Sequence, residues 1–125
     1  MISIVDDDEC VREAIRGLLR SLGYMATTYA SAEDFLDSNG VNDTSCLITD
    51  VHMPGLSGVE LYRRLIADGS APPTIFVTGL PDESTRNQAL AAGAVAFLSK
   101  PFGEKSLIDC LEAALMRRNA AVIHH

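Results

Sequence analysis

The chain has 125 residues, of which 47% are hydrophobic and 22% charged, an ordinary size for a single globular domain with one core. Seventeen acidic and ten basic side chains give a formal net charge of −7, which argues against binding of nucleic acid or an anionic membrane, because both need a basic surface. Apolar stretches are only a few residues long, far short of the roughly 20 that a membrane-spanning helix requires. The acidic amino terminus lacks the basic region of a signal peptide, so we expect a cytoplasmic protein.

The cysteines are odd in number and widely spaced, at Cys10, Cys46 and Cys110. This spacing contains no C-x-x-C pair and no histidine at ligand spacing, so it predicts neither a disulfide framework nor a zinc site. We expect buried thiols that act as small apolar side chains.

The first third of the chain alternates between strand and helix patterns. A β-rich run over residues 2–5 is followed by apolar residues at helical spacing from Val11 to Leu22, and Gly23 ends this helix. Residues 24–29 predict a second strand. Ser31 stands where an N-cap would begin a short second helix.

The remaining chain continues the alternation. Residues 46–51 form an almost continuous apolar run, typical of a central strand that is covered on both faces. Residues 74–78 and 94–98 predict the fourth and fifth strands. Helices are expected from near Ser57, across the Ala-rich segment 81–92, and from about Glu104. The third helix is expected to carry Val59, Tyr62 and Ile66 on one apolar stripe, with Leu61 and Leu65 beside it.

This order predicts an α/β fold of (βα)5 type, a three-layer sandwich with helices on both faces of a five-stranded parallel sheet. Flavodoxin-like folds of this kind have the strand order 2-1-3-4-5. We expect one domain over residues 1–118. Residues 119–125 are expected to be a C-terminal tail, either the start of a linker or the remnant of a tag.

Polar or charged side chains follow four of the five predicted strands. They are Asp6 and Asp7 after strand one, Asp50 at the end of strand three, Thr78 at the end of strand four and Lys100 after strand five. In the order 2-1-3-4-5 these four strands are neighbours, and ligands of open α/β sheets bind at the carboxyl ends of the strands. The five side chains are therefore expected to share one cleft.

Three carboxylates beside one ammonium repel one another unless a cation intervenes. Oxygen ligands, with room for water and a phosphate, favour Mg²⁺, with Mn²⁺ as an alternative ion. Asp50 could then attack a phosphoryl group to form an acyl phosphate, while Thr78 and Lys100 contact the phosphoryl oxygens. Asp8 is expected to cap the first helix.

Four segments of the sequence resemble the receiver domain of two-component response regulators, and the resemblance covers essentially the whole chain. The segment Met53-Pro54-Gly55-Leu56-Ser57-Gly58-Val59-Glu60-Leu61 after strand three and the Val77-Thr78-Gly79 ending of strand four are similar to the FixJ branch in particular. The segments are Ile4-Val5-Asp6-Asp7-Asp8, Leu47-Ile48-Thr49-Asp50-Val51-His52-Met53-Pro54-Gly55, Phe76-Val77-Thr78-Gly79 and Phe97-Leu98-Ser99-Lys100-Pro101-Phe102.

The resemblance implies that Asp50 accepts phosphate from a sensor histidine kinase. It implies that Asp7, Asp50 and the backbone carbonyl of His52 ligate Mg²⁺ directly, and that Asp6 acts through a water molecule. The side chain of His52 is expected at the mouth of the cleft. An apolar Leu80 near the phosphate is expected to limit access of water.

Two further features follow from the same resemblance. Phe97 corresponds to a switch aromatic that turns inward when Thr78 moves towards the phosphate. The Lys100–Pro101 peptide bond is expected to be cis, since proline lowers the cost of the cis form to about 0.5–1 kcal/mol.

The resemblance also implies a function without catalytic turnover, limited to self-phosphorylation from phosphodonors and autodephosphorylation. Phosphate would switch a partner surface on helix four, strand five and helix five, which in the FixJ branch makes a phosphorylation-dependent homodimer. A transcriptional effector domain would lie outside this chain. Specificity for the kinase is expected around Arg12, Arg16 and Phe102.

Three alternatives stay open at this point. A phosphatase or phosphotransferase would need a second acid two residues after the nucleophile, where His52 stands. A nucleotide-binding module would need a G-x-G-x-x-G segment after strand one, where the chain has three aspartates. A metal-independent docking domain would not need the five polar residues of the cleft.

Overall fold

The computed structural model describes residues 1–123, with the side chains of residues 1–117. Five strands and five helices alternate along the chain, as the sequence predicts. They are β1 (Ile2–Val5), α1 (Glu9–Ser21), β2 (Ala26–Tyr29), α2 (Ala32–Asp37), β3 (Cys46–Asp50), α3 (Gly58–Ala67), β4 (Thr74–Thr78), α4 (Glu83–Ala91), β5 (Ala96–Ser99) and α5 (Glu104–Ile123).

The strands form one parallel sheet in the order β2-β1-β3-β4-β5. This arrangement confirms the predicted flavodoxin-like fold. The order places β1, β3, β4 and β5 side by side and leaves β2 at the edge. The carboxyl ends of the four neighbouring strands therefore meet at one edge of the sheet.

One face of the sheet is covered by α1 and α5. Ile4, Ile48 and Val77 of the central strands pack in one buried cluster with Leu19 of α1 and Leu107 of α5. These residues are at most 1% exposed. Because the cluster joins α1 and α5 to the centre of the sheet, it fixes these two helices relative to the strands.

The opposite face is covered by α2, α3 and α4 through two smaller clusters. Phe35 of α2 and Leu61 of α3 pack with the β3 residue Leu47. Tyr62 of α3 packs edge-on against Phe76 of β4, with ring centroids 5.5 Å apart. Of the described α4 side chains only Ala89 is buried, so this helix contributes little to the core.

Two apolar residues that the helical pattern places inside are exposed. Ile66 of α3 and Leu22 after α1 each expose 43% of their surface. The buried stripe of α3 is Gly58, Leu61, Tyr62 and Leu65, spaced by three and four residues, and Ile66 falls beside it. Leu22 is the residue that caps the carboxyl end of α1, where the chain already turns away from the core.

The cysteine prediction holds for Cys46, which is buried, and is wrong for Cys10, which is exposed. Cys10 lies in the first turn of α1, where it borders an open pocket between α1 and the start of α5. Cys110 is half-buried, and all three described cysteines are free thiols. Burial raises the pKa of the Cys46 thiol to about 12.

The helix α5 continues through Ile123 and so includes residues 119–123, which the sequence places in a tail. His124 and His125 lie outside the described residues. Among the helices that the structure describes, none has the length and apolar character to cross a membrane.

Candidate functional site

Three aspartates meet at the carboxyl edge of the sheet. Asp6 follows β1 and is 1% exposed, and Asp50 ends β3 and is 6% exposed. Asp7 is exposed, and one carboxylate oxygen from each of the three lies within 4.8 Å of the others. The cluster forms because β1 and β3 are paired in parallel, with Val5 opposite Thr49, so that both strands end at the same level.

Lys100 reaches this cluster from the end of β5. Its Nζ atom lies 3.0 Å from Oδ2 of Asp6 and 3.5 Å from Oδ2 of Asp50. Its backbone N–H donates to the carbonyl of Thr78 at 2.7 Å, which fixes the chain just before the side chain enters the cleft. The Lys100–Pro101 peptide bond, for which the resemblance implies the cis form, is cis.

Asp50 and Lys100 each shift the pKa of the other. Burial raises the pKa of Asp50, and the neighbouring charge of Asp6 raises it further, while Lys100 acts in the opposite direction. Burial by itself would lower the pKa of Lys100, but its hydrogen bond to Asp6 and the charge of Asp50 outweigh burial and raise it. The ammonium of Lys100 is therefore held in its charged form beside the carboxylates.

The loop between β1 and α1 is tied to the cluster through its backbone. The N–H of Asp8 donates to Oδ1 of Asp6 at 2.9 Å, and the Asp8 side chain caps α1 by accepting from the N–H groups of Cys10 and Val11. Nη1 of Arg12 donates to the carbonyl oxygen of Asp6 at 2.7 Å. The cap agrees with the role that the sequence predicts for Asp8.

The loop between β3 and α3 is held by contacts from two directions. The N–H of Gly58 donates to the carbonyl of Val51 at 3.0 Å, and Met53 is buried among residues of α2 and α3. From α2, Oε1 of Glu33 accepts the N–H of Leu56 at 3.2 Å. The side chain of His52 is exposed.

Thr78 and Phe97 lie on one face of the sheet. Thr78 is fully buried and its hydroxyl accepts the N–H of Leu80 at 3.1 Å. Phe97 is half-buried and packs against Phe76, the residue paired with it in β4, with ring centroids 6.3 Å apart. Because side chains alternate along a strand, Thr78 shares the face of Phe76 and hence of Phe97. Leu80 is 70% exposed.

The donor set fits a hard divalent cation such as Mg²⁺. All three acidic residues offer carboxylate oxygens within a small volume, and such cations prefer oxygen ligands. The three carboxylates and one ammonium leave a formal charge of about −2, which a cation would offset. Both the oxygen ligands and the net negative charge of the described cluster therefore suit a divalent cation.

Comparison with known proteins identifies the family. The family model described as response regulator receiver domain matches residues 2–112. The chain belongs to the response regulator receiver domain family. It is therefore a signalling domain of two-component systems, in which receiver domains take phosphate from sensor kinases.

Longer relatives of this receiver domain include a transcriptional regulatory protein and a response regulator protein. The chain is 40% identical over 116 residues to the transcriptional regulatory protein FixJ of Azorhizobium caulinodans, covering 93% of this chain and 55% of FixJ. It is 41% identical over 115 residues to the response regulator protein TmoT of Ectopseudomonas mendocina, covering 92% of this chain and 52% of TmoT. The receiver domain thus spans about half the length of these relatives.

The fold of the receiver domain is also that of a solved relative. The crystal structure of FixJ-N superimposes with a TM-score of 0.82 at 38% identity, covering 92% of each chain. The similarity in sequence and structure agrees with the FixJ branch that the motifs of the loop after β3 indicate.

Three contacts of the receiver domain site do not follow from sequence reasoning. They involve Arg12 on the Asp6 carbonyl, Glu33 on the N–H of Leu56, and Gly58 against the backbone of Asp50. Gly58 lies within a motif that indicates the family, but the motif assigns it no contact. Arg12 and Glu33 belong to helices. The sequence patterns of helices predict burial and capping, but they do not predict hydrogen bonds to a distant backbone group.

Proposed function

We propose that this receiver domain is a Mg²⁺-dependent phosphoacceptor in which Asp50 takes phosphate from a sensor histidine kinase. The observation that carries the proposal is the convergence of Asp6, Asp7 and Lys100 on Asp50 at the carboxyl edge of the sheet. A buried acid at the end of an apolar strand is unfavourable unless a charged partner or a metal offsets it. In this cleft Lys100 is the charged partner, and the three carboxylates would hold the metal.

The proposed transfer is a nucleophilic displacement at phosphorus. A carboxylate oxygen of Asp50 forms the new O–P bond, the P–N bond to the kinase histidine breaks, and its electron pair stays on the imidazole nitrogen. Lys100 pairs with a phosphoryl oxygen, and the hydroxyl of Thr78 donates to another. The raised pKa of Asp50 makes its ionisation depend on charges around it, which Lys100 supplies in part.

The proposed metal ligands are Asp7, Asp50 and the backbone carbonyl of His52, with Asp6 acting through a water molecule. Bound Mg²⁺, or Mn²⁺ in its place, would offset charge on the phosphoryl oxygens. Asp6 also holds Lys100 at 3.0 Å, so its carboxylate has two tasks in the cleft.

Phosphate on Asp50 would then bias the position of Thr78 and, through the shared face of the sheet, of Phe97. The surface that responds comprises α4, β5 and α5. The weakly packed α4, with Ala89 alone buried among its described side chains, suits an element that moves between two states. A homodimer through this surface would pass the signal to a transcriptional effector domain, as expected for the FixJ branch.

The test is intact mass after incubation with acetyl phosphate, with and without Mg²⁺. Wild type is expected to gain one labile phosphoryl group only when Mg²⁺ is present, and Asp50→Asn none. Asp8→Asn is the matched control, because it removes a nearby charge from outside the proposed ligand set and keeps a capping side chain.

Other outcomes would point to other functions. Absence of an adduct under every condition would contradict the phosphoacceptor proposal and favour a docking domain. Release of phosphate over many turnovers without accumulation of the phosphoryl adduct would favour a phosphatase. Transfer from a purified sensor kinase then measures the proposed partner directly.

A further inference from the structure

Arg12 makes a short hydrogen bond to the backbone of the acidic cluster. Its Nη1 atom donates to the carbonyl oxygen of Asp6 at 2.7 Å, from a half-buried position in the first turns of α1. The backbone of Arg12 is itself fixed, since its N–H donates to the carbonyl of Asp8 at 3.0 Å. Hydrogen bonds from a charged donor are shorter and stronger than neutral ones.

The acceptor of this bond belongs to the peptide that joins Asp6 to Asp7. Because a peptide unit is planar, a donor that holds the carbonyl of Asp6 also sets the direction in which the chain enters Asp7. The Asp6 carboxylate is held separately, by Lys100 and by the N–H of Asp8. The contact from Arg12 therefore acts on the orientation of Asp7, the exposed member of the cluster.

We propose that Arg12 is a positioning residue for divalent cation binding, which holds the Asp6–Asp7 peptide so that the Asp7 carboxylate faces Asp50. This inference rests on the proposed Mg²⁺ requirement of the receiver domain. It gives Arg12 a task within the domain that is distinct from recognition of a kinase.

The direction of the change in Mg²⁺ affinity distinguishes a positioning role of Arg12 from an electrostatic one. A guanidinium near three carboxylates repels a cation, so removing it by a purely electrostatic effect would strengthen Mg²⁺ binding. Removing a support of a metal-ligating residue typically weakens metal affinity by about 10–100-fold. A loss of general stability would lower the melting temperature and leave the dissociation constant unchanged.

The experiment is calorimetric titration of the metal-free domain with Mg²⁺, without any phosphodonor. Arg12→Ala is expected to weaken binding by about tenfold. Arg12→Lys retains a charged donor and is expected to recover part of that loss. Arg16→Ala is the matched control, because Arg16 lies one turn later in α1 and its ion pair is with Glu13; its affinity should equal that of wild type.

Each other outcome overturns the inference. Unchanged or tighter Mg²⁺ binding by Arg12→Ala would exclude positioning, as would an equal loss in Arg16→Ala. If Arg12→Ala fails to fold by circular dichroism, Arg12→Lys and Arg12→Gln are compared instead. Arg12→Gln supplies only an uncharged donor, so it is expected to bind Mg²⁺ more weakly than Arg12→Lys, and equal affinities of the two variants would contradict the inference. Wild type that binds no Mg²⁺ would instead contradict the proposed function itself.

Discussion

Gly58, the first residue of α3, lies directly against the backbone carbonyl of Asp50. A Cβ atom at position 58 would overlap this oxygen and would also come within 3.2 Å of Oγ1 of Thr49. The carbonyl cannot move aside easily, because Asp50 is paired with Val77 inside the sheet. The close approach of α3 to the proposed phosphoacceptor therefore depends on the absence of a side chain at this position.

Gly58→Ala is expected to lower the free energy of unfolding by about 1–3 kcal/mol, the usual cost of forcing an extra methyl group into a packed site. Urea unfolding followed by circular dichroism measures it. Gly17→Ala is the matched control, because Gly17 lies inside α1 with nothing within 4 Å of an added Cβ. That control should gain about 0.5–1 kcal/mol from helix propensity; equal stability of the two variants would contradict the steric argument.

Asp50→Asn is expected to stabilise the metal-free domain at neutral pH by about 1 kcal/mol, since it removes a buried charge from beside Asp6. The pKa of Asp50 is raised in the folded state, so protonation of this group favours folding. The advantage of the variant should therefore be largest above the folded pKa and disappear as the pH falls below the unfolded value. Thermal unfolding in EDTA at several pH values tests this, and an advantage that grows on acidification would refute it.

Cys46 is expected to make the domain less stable at alkaline pH. Burial raises the pKa of its thiol from 9.0 to about 12, so the neutral thiol contributes stability that is complete below pH 9 and is lost as the pH rises towards the folded value. Urea unfolding of wild type and Cys46→Ala at pH 8 and pH 10.5 should show a smaller difference at the higher pH. The difference between wild type and Cys10→Ala, at an exposed position, provides the comparison.

Glu33→Ala is expected to loosen the loop between β3 and α3, because the N–H of Leu56 loses its acceptor. Amide hydrogen exchange at Leu56 should become several-fold faster, while the free energy of unfolding falls by only about 0.5–1.5 kcal/mol, the net contribution of one hydrogen bond. Glu33→Gln retains an acceptor and should exchange more slowly than Glu33→Ala. An equal increase in the exchange rate of the Leu56 amide in Asp34→Ala would show that the effect comes from α2 in general and not from the hydrogen bond of Glu33.

Much of this architecture can be predicted from the sequence because it depends on local and periodic signals. Alternating strand and helix patterns with short connections allow few topologies other than a parallel sheet with helices on both faces. Once the order of strands is set, residues at the carboxyl ends of neighbouring strands must meet. That is why Asp6, Asp50 and Lys100 could be assigned to one cleft before any contact was known.

Helix patterns gave less reliable information about burial. The apolar residues Ile66 and Leu22 are exposed, because the buried stripe of a helix is set by the direction from which the sheet and its neighbours approach. Cys10 is exposed as well. Composition predicts that thiols tend to be buried, but it does not say which side of α1 the neighbouring elements cover.

The sequence by itself determined the order of the elements, the family and the residues that gather at the carboxyl edge, because each depends on periodicity or on motif spacing. Only the tertiary structure decided how those residues are held. The contacts of Arg12 with the Asp6 carbonyl, of Glu33 with the Leu56 amide and of Gly58 with Asp50 join side chains or Cα atoms to backbone groups. Backbone groups are the same in every residue, so no pattern of side chains identifies which of them lies within reach.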